Sequence, residues 1–158
     1  MNFLTEHGIS SYGELESKLT ALSARRDTAH AEIKRIESRS AELALVMKHA
    51  GTYRQLKPLY ERYRKSNDKE KFLRGHESEI ILFEAAAREL KRLGAVPLPT
   101  TESMKTELAN LNAEKERLLA EYKAARAEAQ EYDTVKQNVD ALLTVPKEQE
   151  QQRRHELE

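Results

Sequence analysis

The feature that most constrains this chain is a pair of heptad combs. The first runs through Leu15, Leu19, Leu22, Arg26, Ala29, Ile33, Ile36, Ser40, Leu43, Met47 and Ala50, with spacings alternating between four and three. The second runs through Met104, Leu108, Leu111, Lys115, Leu118, Tyr122, Ala125, Ala129, Tyr132, Lys136, Val139 and Leu143. Such a stripe is a narrow seam on a long helix, too thin to bury a helix by itself and shaped to meet a second seam. The combs cover about 36 and 40 residues, or ~54 and 60 Å at 1.5 Å per residue. An antiparallel pairing that seats Leu15 by Leu143 also seats Leu19 by Val139, Ile36 by Tyr122, Met47 by Leu111 and Ala50 by Leu108. A shift by one heptad keeps the same facing of a and d positions. Other arrangements of the same combs are a parallel dimer, or an up-down-up bundle whose first helix runs through Gly51 to Lys65.

Local signals divide the chain. Ser11 with Glu14 reads as a capping box, so the first helix is expected over about 12–50. Gly51 breaks the comb, and Pro58 removes a backbone donor, so a separate helix is expected over 52–65. Asn67 is the expected N-cap of a third helix, 68–93, with Gly94 as its C-cap. The run Ile80 to Ala87 is apolar nearly all round, which predicts burial on several sides. Pro97-Leu98-Pro99 forms a linker, Thr100 or Thr101 caps the last helix over 101–144, and Pro146 is expected to stop it. The expected fold is all-α: a long antiparallel coiled-coil hairpin with two shorter helices at its tip. The helices form one domain over 11–145, with a disordered or extended N-terminus at 1–10 and a disordered tail at 146–158. A monomer or weak homodimer is expected.

Composition narrows the function. Charged residues are 34% of the 158, aromatics 6%, and 27 Lys and Arg balance 27 Asp and Glu. Mean hydropathy is -0.79, and no apolar run approaches the ~20 residues of a membrane span. No secretion signal is evident, so a cytoplasmic address is expected. With no cysteine there is no thiolate metal site or cysteine nucleophile. His76-Glu77-Ser78-Glu79-Ile80 opens like a zincin helix, but Ile80 stands where the second histidine belongs. The remaining histidines are scattered, and no phosphate-cradling glycine loop or nucleophile elbow occurs. No enzymatic activity and no cofactor are expected.

One segment stands out electrostatically. Between Thr52 and His76, eight cations (Arg54, Lys57, Arg62, Arg64, Lys65, Lys69, Lys71 and Arg74) face three carboxylates, Glu61, Asp68 and Glu70. Tyr53, Tyr60, Tyr63 and Phe72 are interleaved with them. Such a set can hold phosphates through its cations and stack bases on its rings. The simpler account makes Tyr53, Leu56, Tyr60 and Tyr63 a buried stripe and the cations its solvated face. Under that account any nucleic-acid contact is weak and made through phosphates.

Several strings resemble a known family. TYRQLKPLYERYRKS from Thr52, NDKEKFLRGHESEIILFEAA from Asn67, the Pro99-Thr100 entry to the last helix, LLAEYKAAR from Leu118 and YDTVKQNVDALL from Tyr132 resemble the C-terminal helical region of relaxases. These are the mobilisation nucleases of plasmids and integrative conjugative elements, chiefly of Gram-positive bacteria. In that family a nuclease domain with a catalytic tyrosine and a metal-binding histidine cluster precedes this region. Nothing here matches those motifs, and no tyrosine here inherits the nucleophile's role. The resemblance implies a non-catalytic interaction module that positions a nuclease relative to transfer-machinery proteins or DNA during conjugation; the alternatives are a nucleic-acid-binding module acting through the basic segment 52–76 and a generic coiled-coil scaffold.

Overall fold

The computed structural model describes residues 11–157, apart from the side chains of 144–150. The chain is all-α. The described residues form three helices: α1 over Tyr12–Lys65, α2 over Lys69–Arg92 and α3 over Thr101–Glu156. The expected N-terminal segment 1–10 lies outside the described residues.

The helix ends follow local chemistry. Ser11 Oγ accepts from the Glu14 amide at 3.2 Å, and Thr100 Oγ1 accepts from the Ser103 amide at 3.1 Å, each satisfying an orphan donor of a first turn. At α2 the cap is Asp68 rather than Asn67, its carboxylate accepting from the Lys71 amide at 3.1 Å. Gly94 adopts φ +71°. Its amide bonds Lys91 O at 3.1 Å and the Ala95 amide bonds Leu90 O at 2.9 Å, the paired closure that a left-handed residue permits.

Two expected helix breaks do not occur. α1 runs through Gly51 and Pro58 as one helix of 54 residues. Pro58 leaves the Arg54 carbonyl without its amide partner, but both residues are exposed, where solvent can take the bond. The packed rings of Tyr53, Tyr60 and Tyr63 then outweigh the local penalty. Likewise α3 passes Pro146 and continues to Glu156, so the stop at Pro146 and the disordered tail are corrected for residues 146–156. The lost bond there falls on the carbonyl of Leu142, which is 72% exposed.

Two compact units divide the chain: the part up to Ile33 with the part from Glu116 onward, and Lys34–Lys115. In the first, α1 and α3 lie antiparallel around a core of Leu15, Leu22, Ala129 and Tyr132, with Tyr12, Leu19 and Val135 packed on it. Tyr12 donates to Asp140 Oδ1 at 2.7 Å, Glu16 pairs with Lys136 at 4.0 Å and Arg25 with Glu121 at 3.9 Å. The carboxylate accepting from the Tyr12 hydroxyl pushes its pKa up to about 12, while burial raises that of Tyr132. These pairs select the register displaced by one heptad from a seating of Leu15 on Leu143. Leu143 is left 59% exposed, and the Lys136 ammonium reaches Glu16.

In the second unit α1 is flanked antiparallel by the start of α3. Arg39 donates to both oxygens of Glu107 at 2.7 and 3.1 Å, and Glu37 pairs with Lys115 at 3.4 Å. The offset matches the displaced heptad register. α2 adds a third helix, with Ile80, Phe83, Ala86 and Leu90 buried, and Ile36, Leu43, Val46, Ala50, Met104 and Leu111 are also buried in this unit. Burial of α2 is one-sided, contrary to the all-round expectation: Ile81 and Leu82 are 53% and 55% exposed.

The Arg39 fork holds the Glu107 carboxyl below its ordinary pKa. A depressed acid pKa contributes stability above the unfolded value and loses it as pH falls through the folded one. Both side chains are more than a third exposed, so Glu107→Gln is expected to cost less than about 1 kcal/mol. The difference from the parent should begin to shrink in thermal melts as pH falls through about 4 and go on shrinking on further acidification. An equal deficit at acid and neutral pH would show that the carboxylate charge is not what matters.

Candidate nucleic-acid interface

The cationic segment forms the end of the Lys34–Lys115 unit, where α1 passes into α2 through Ser66, Asn67 and Asp68. The rings that the sequence interleaves with cations assemble into one ladder. Phe83 of α2 inserts between Tyr53 and Tyr60 of α1, at 4.8 and 4.3 Å between centroids and close to parallel with both. Tyr60 then meets Tyr63 at 5.8 Å, Tyr63 meets Phe72 at 6.1 Å, and Phe72 meets His76 at 4.6 Å. Tyr53 and Tyr60 are seven residues apart, about 10.5 Å along the helix, which leaves room for one ring at stacking distance on each side. That spacing was readable in the sequence; that Phe83 fills it was not. His76 sits at φ -137°, ψ 27°, an interruption inside α2, with Nδ1 3.5 Å from Glu79.

The eight cations divide by their surroundings. Arg54 is structural, donating to Thr101 Oγ1 at 2.6 Å and to Pro99 O at 2.5 Å, so it fastens the linker and the start of α3. Lys57 lies 5.9 Å from the Tyr53 ring centre and Arg62 lies 5.8 Å from that of Phe72, where cations meet ring faces. The Arg74 guanidinium donates to the Glu70 carbonyl at 3.4 Å. Arg64, Lys65, Lys69 and Lys71 are exposed. Arg62, Arg64 and Lys65 occupy the last turn of α1, where the helix dipole favours positive charge.

Among the described residues, no ion pair joins any of the eight to a carboxylate. Five cations outside the segment, Arg25, Arg35, Arg39, Lys115 and Lys136, each reach a carboxylate on another helix within 4.0 Å. Of the segment's own carboxylates, Asp68 is engaged as the N-cap and Glu70 sits in the first turn of α2. The excess of five positive charges is therefore exposed and uncompensated, while the rest of this neutral chain carries an equal negative excess.

The aromatic faces are not similarly available. Tyr53, Tyr60, Tyr63 and Phe72 are half-buried, and the ladder engages their rings with one another. Phosphates can be held here, whereas stacking a base would require taking the ladder apart.

Beside the ladder lies an open cleft of about 550 Å³ between α1 and α2, floored by Tyr53, Tyr60, Phe83 and Ala87. Its rims carry Lys57, Glu61 and Arg64 from α1 and Glu84 and Arg88 from α2. The α2 residues were not part of the sequence-derived site, since only the pairing of the helices brings them beside Lys57 and Arg64. Among the described residues no three His, Asp or Glu side chains converge as metal ligands, and no helix is long and apolar enough to cross a membrane.

Comparison with protein-family models, with curated proteins and with solved structures found no match to this chain in any of the three.

Proposed function

We propose that this chain is a non-catalytic helical interaction module whose cationic end holds the phosphate backbone of nucleic acid. The observation that carries the reading is the concentration of unpaired charge: none of the eight cations of 54–74 meets a carboxylate among the described residues, whereas Arg25, Arg39, Lys115 and Lys136 are matched across helices. Unpaired surface cations favour a polyanion through release of its counterions, a contact indifferent to base sequence. The occupied ring faces argue against base stacking and so against a strong preference for single strands. The setting implied by the relaxase-like strings fits such a module. It would act in the bacterial cytoplasm as a monomer or weak homodimer, positioning a nuclease relative to DNA or to a protein of the transfer machinery.

Fluorescence anisotropy with labelled duplex and single-stranded DNA tests this. Affinity is expected to fall by roughly 0.7 to 0.9 decades per decade of salt for each phosphate neutralised. Arg62→Glu, Lys65→Glu and Lys69→Glu together should weaken binding by at least about tenfold at low salt, equally for unrelated sequences, with helicity unchanged. No measurable binding of either form of DNA at low salt would refute the phosphate contact.

A further inference from the structure

We propose that the α1–α2 cleft is a docking groove for an acidic amphipathic helix of a partner protein. This goes beyond the phosphate contact and does not depend on it. In the Lys34–Lys115 unit α3 lies beside α1 at Arg35, Glu37 and Arg39, and α2 lies beside it at Tyr53, Tyr60 and Tyr63. Arg54 ties down Pro99 and Thr101, so α3 enters at the level of Arg54. Beyond that level α1 and α2 run on as a pair, and the cleft opens along Lys57, Glu61 and Arg64, the next positions on that side of α1.

The floor suits a helix. Ring edges of Tyr53, Tyr60 and Phe83 give it apolar area, and Ala87 keeps it low where a larger residue would fill it. From Lys57 to Arg64 α1 rises ~10.5 Å, about two turns, enough for anchors spaced at i, i+3 or i+4, and i+7. Ile81 shares one face of α2 with Glu84 and Arg88, at spacings of three and seven. Its exposure of 53% puts an isoleucine in water on the face that an occupant would cover.

Charge selects the class of occupant. The rim carries Lys57, Arg64 and Arg88 against Glu61 and Glu84, none of them ion-paired among the described residues. The neighbouring end of the unit is more positive still. A helix with an apolar stripe and acidic flanks meets the cations at the rim and gains from the surrounding field, whereas a basic helix meets repulsion. A nucleic-acid strand gains nothing from the apolar floor, because the ring faces are already stacked.

The test uses the full chain and a fluorescein-labelled synthetic peptide of about four helical turns, with leucine at i, i+4, i+7 and i+11 and glutamate on both flanks of the stripe. A peptide of identical composition with the stripe scrambled is the control. The striped peptide is expected to bind at least about tenfold more tightly than the scrambled one. Ala87→Arg, which fills the floor, should abolish the difference while leaving DNA binding intact. Glu84→Lys should tighten peptide binding several-fold, an effect that a folding defect does not mimic. Arg62→Glu, Lys65→Glu and Lys69→Glu should weaken DNA binding and leave the preference for the striped peptide in place, so the two sites fail separately. The proposal is overturned if the two peptides bind alike, if neither binds, or if Ala87→Arg leaves the preference unchanged. It is also overturned if Ala87→Arg abolishes DNA binding, which assigns the cleft to nucleic acid, or self-association, which assigns it to a second copy.

Discussion

Phe83→Ala is expected to lower stability by about 3 to 5 kcal/mol, the largest effect of any single truncation outside the seams. Phe83 is only 6% exposed and is stacked on both sides, so its removal deletes a buried ring and leaves Tyr53 and Tyr60 facing a void that neither can close. The void is about a ring thick, and the two tyrosines are held apart by two turns of α1. Phe83→Leu keeps much of the volume and should cost well under half as much. Urea melts followed by circular dichroism provide the measurement. The cationic segment depends on the same stack for its shape, so Phe83→Ala should also weaken DNA binding at temperatures where the parent remains folded. A loss below about 1 kcal/mol would mean that the ladder is not a packed core.

Engineered cysteines should report the seam register as an all-or-none result. The chain has no cysteine of its own, so Leu22→Cys with Ala129→Cys forms the sole possible intramolecular disulfide. It should close on mild oxidation, since both positions belong to one buried cluster. Leu22→Cys with Lys136→Cys, the partner in the register that seats Leu15 on Leu143, should stay reduced. One heptad along a helix is ~10.5 Å, whereas a disulfide tolerates a Cα separation of no more than about 7 Å. Mass shifts after alkylation distinguish the two outcomes. Closure of the second pair in place of the first would return the chain to the register that seats Leu15 on Leu143.

The local features were the legible ones. Helix entry at Ser11 and Thr100 and exit at Gly94 were readable because a cap is made by residues within a turn of one another. At α2, where Asn67 and Asp68 both qualify as caps, the choice fell to Asp68, one residue along. The combs were readable because heptad spacing determines which residues share a helix face. The concentration of charge between Arg54 and Arg74 is likewise a property of the chain alone.

What the sequence by itself determined is therefore an all-α chain with two apolar seams, its caps, and a cationic segment interleaved with rings. Only the tertiary structure decided the rest. Gly51 and Pro58 carry local penalties of about 1 and 3 kcal/mol; burial of Val46 and Ala50 before Gly51 and stacking of Tyr53 and Tyr60 on either side of Pro58 carry α1 through both. Two registers satisfy the apolar seam equally, because a shift of seven returns the same facing. The choice falls to polar flanks such as Tyr12 with Asp140 and Glu16 with Lys136, which identify themselves only once the helices are side by side. Whether a cation is matched, and whether a ring face is free, depends on the neighbouring helix in the same way. Periodicity constrains one helix at a time, and pairing energy belongs to two.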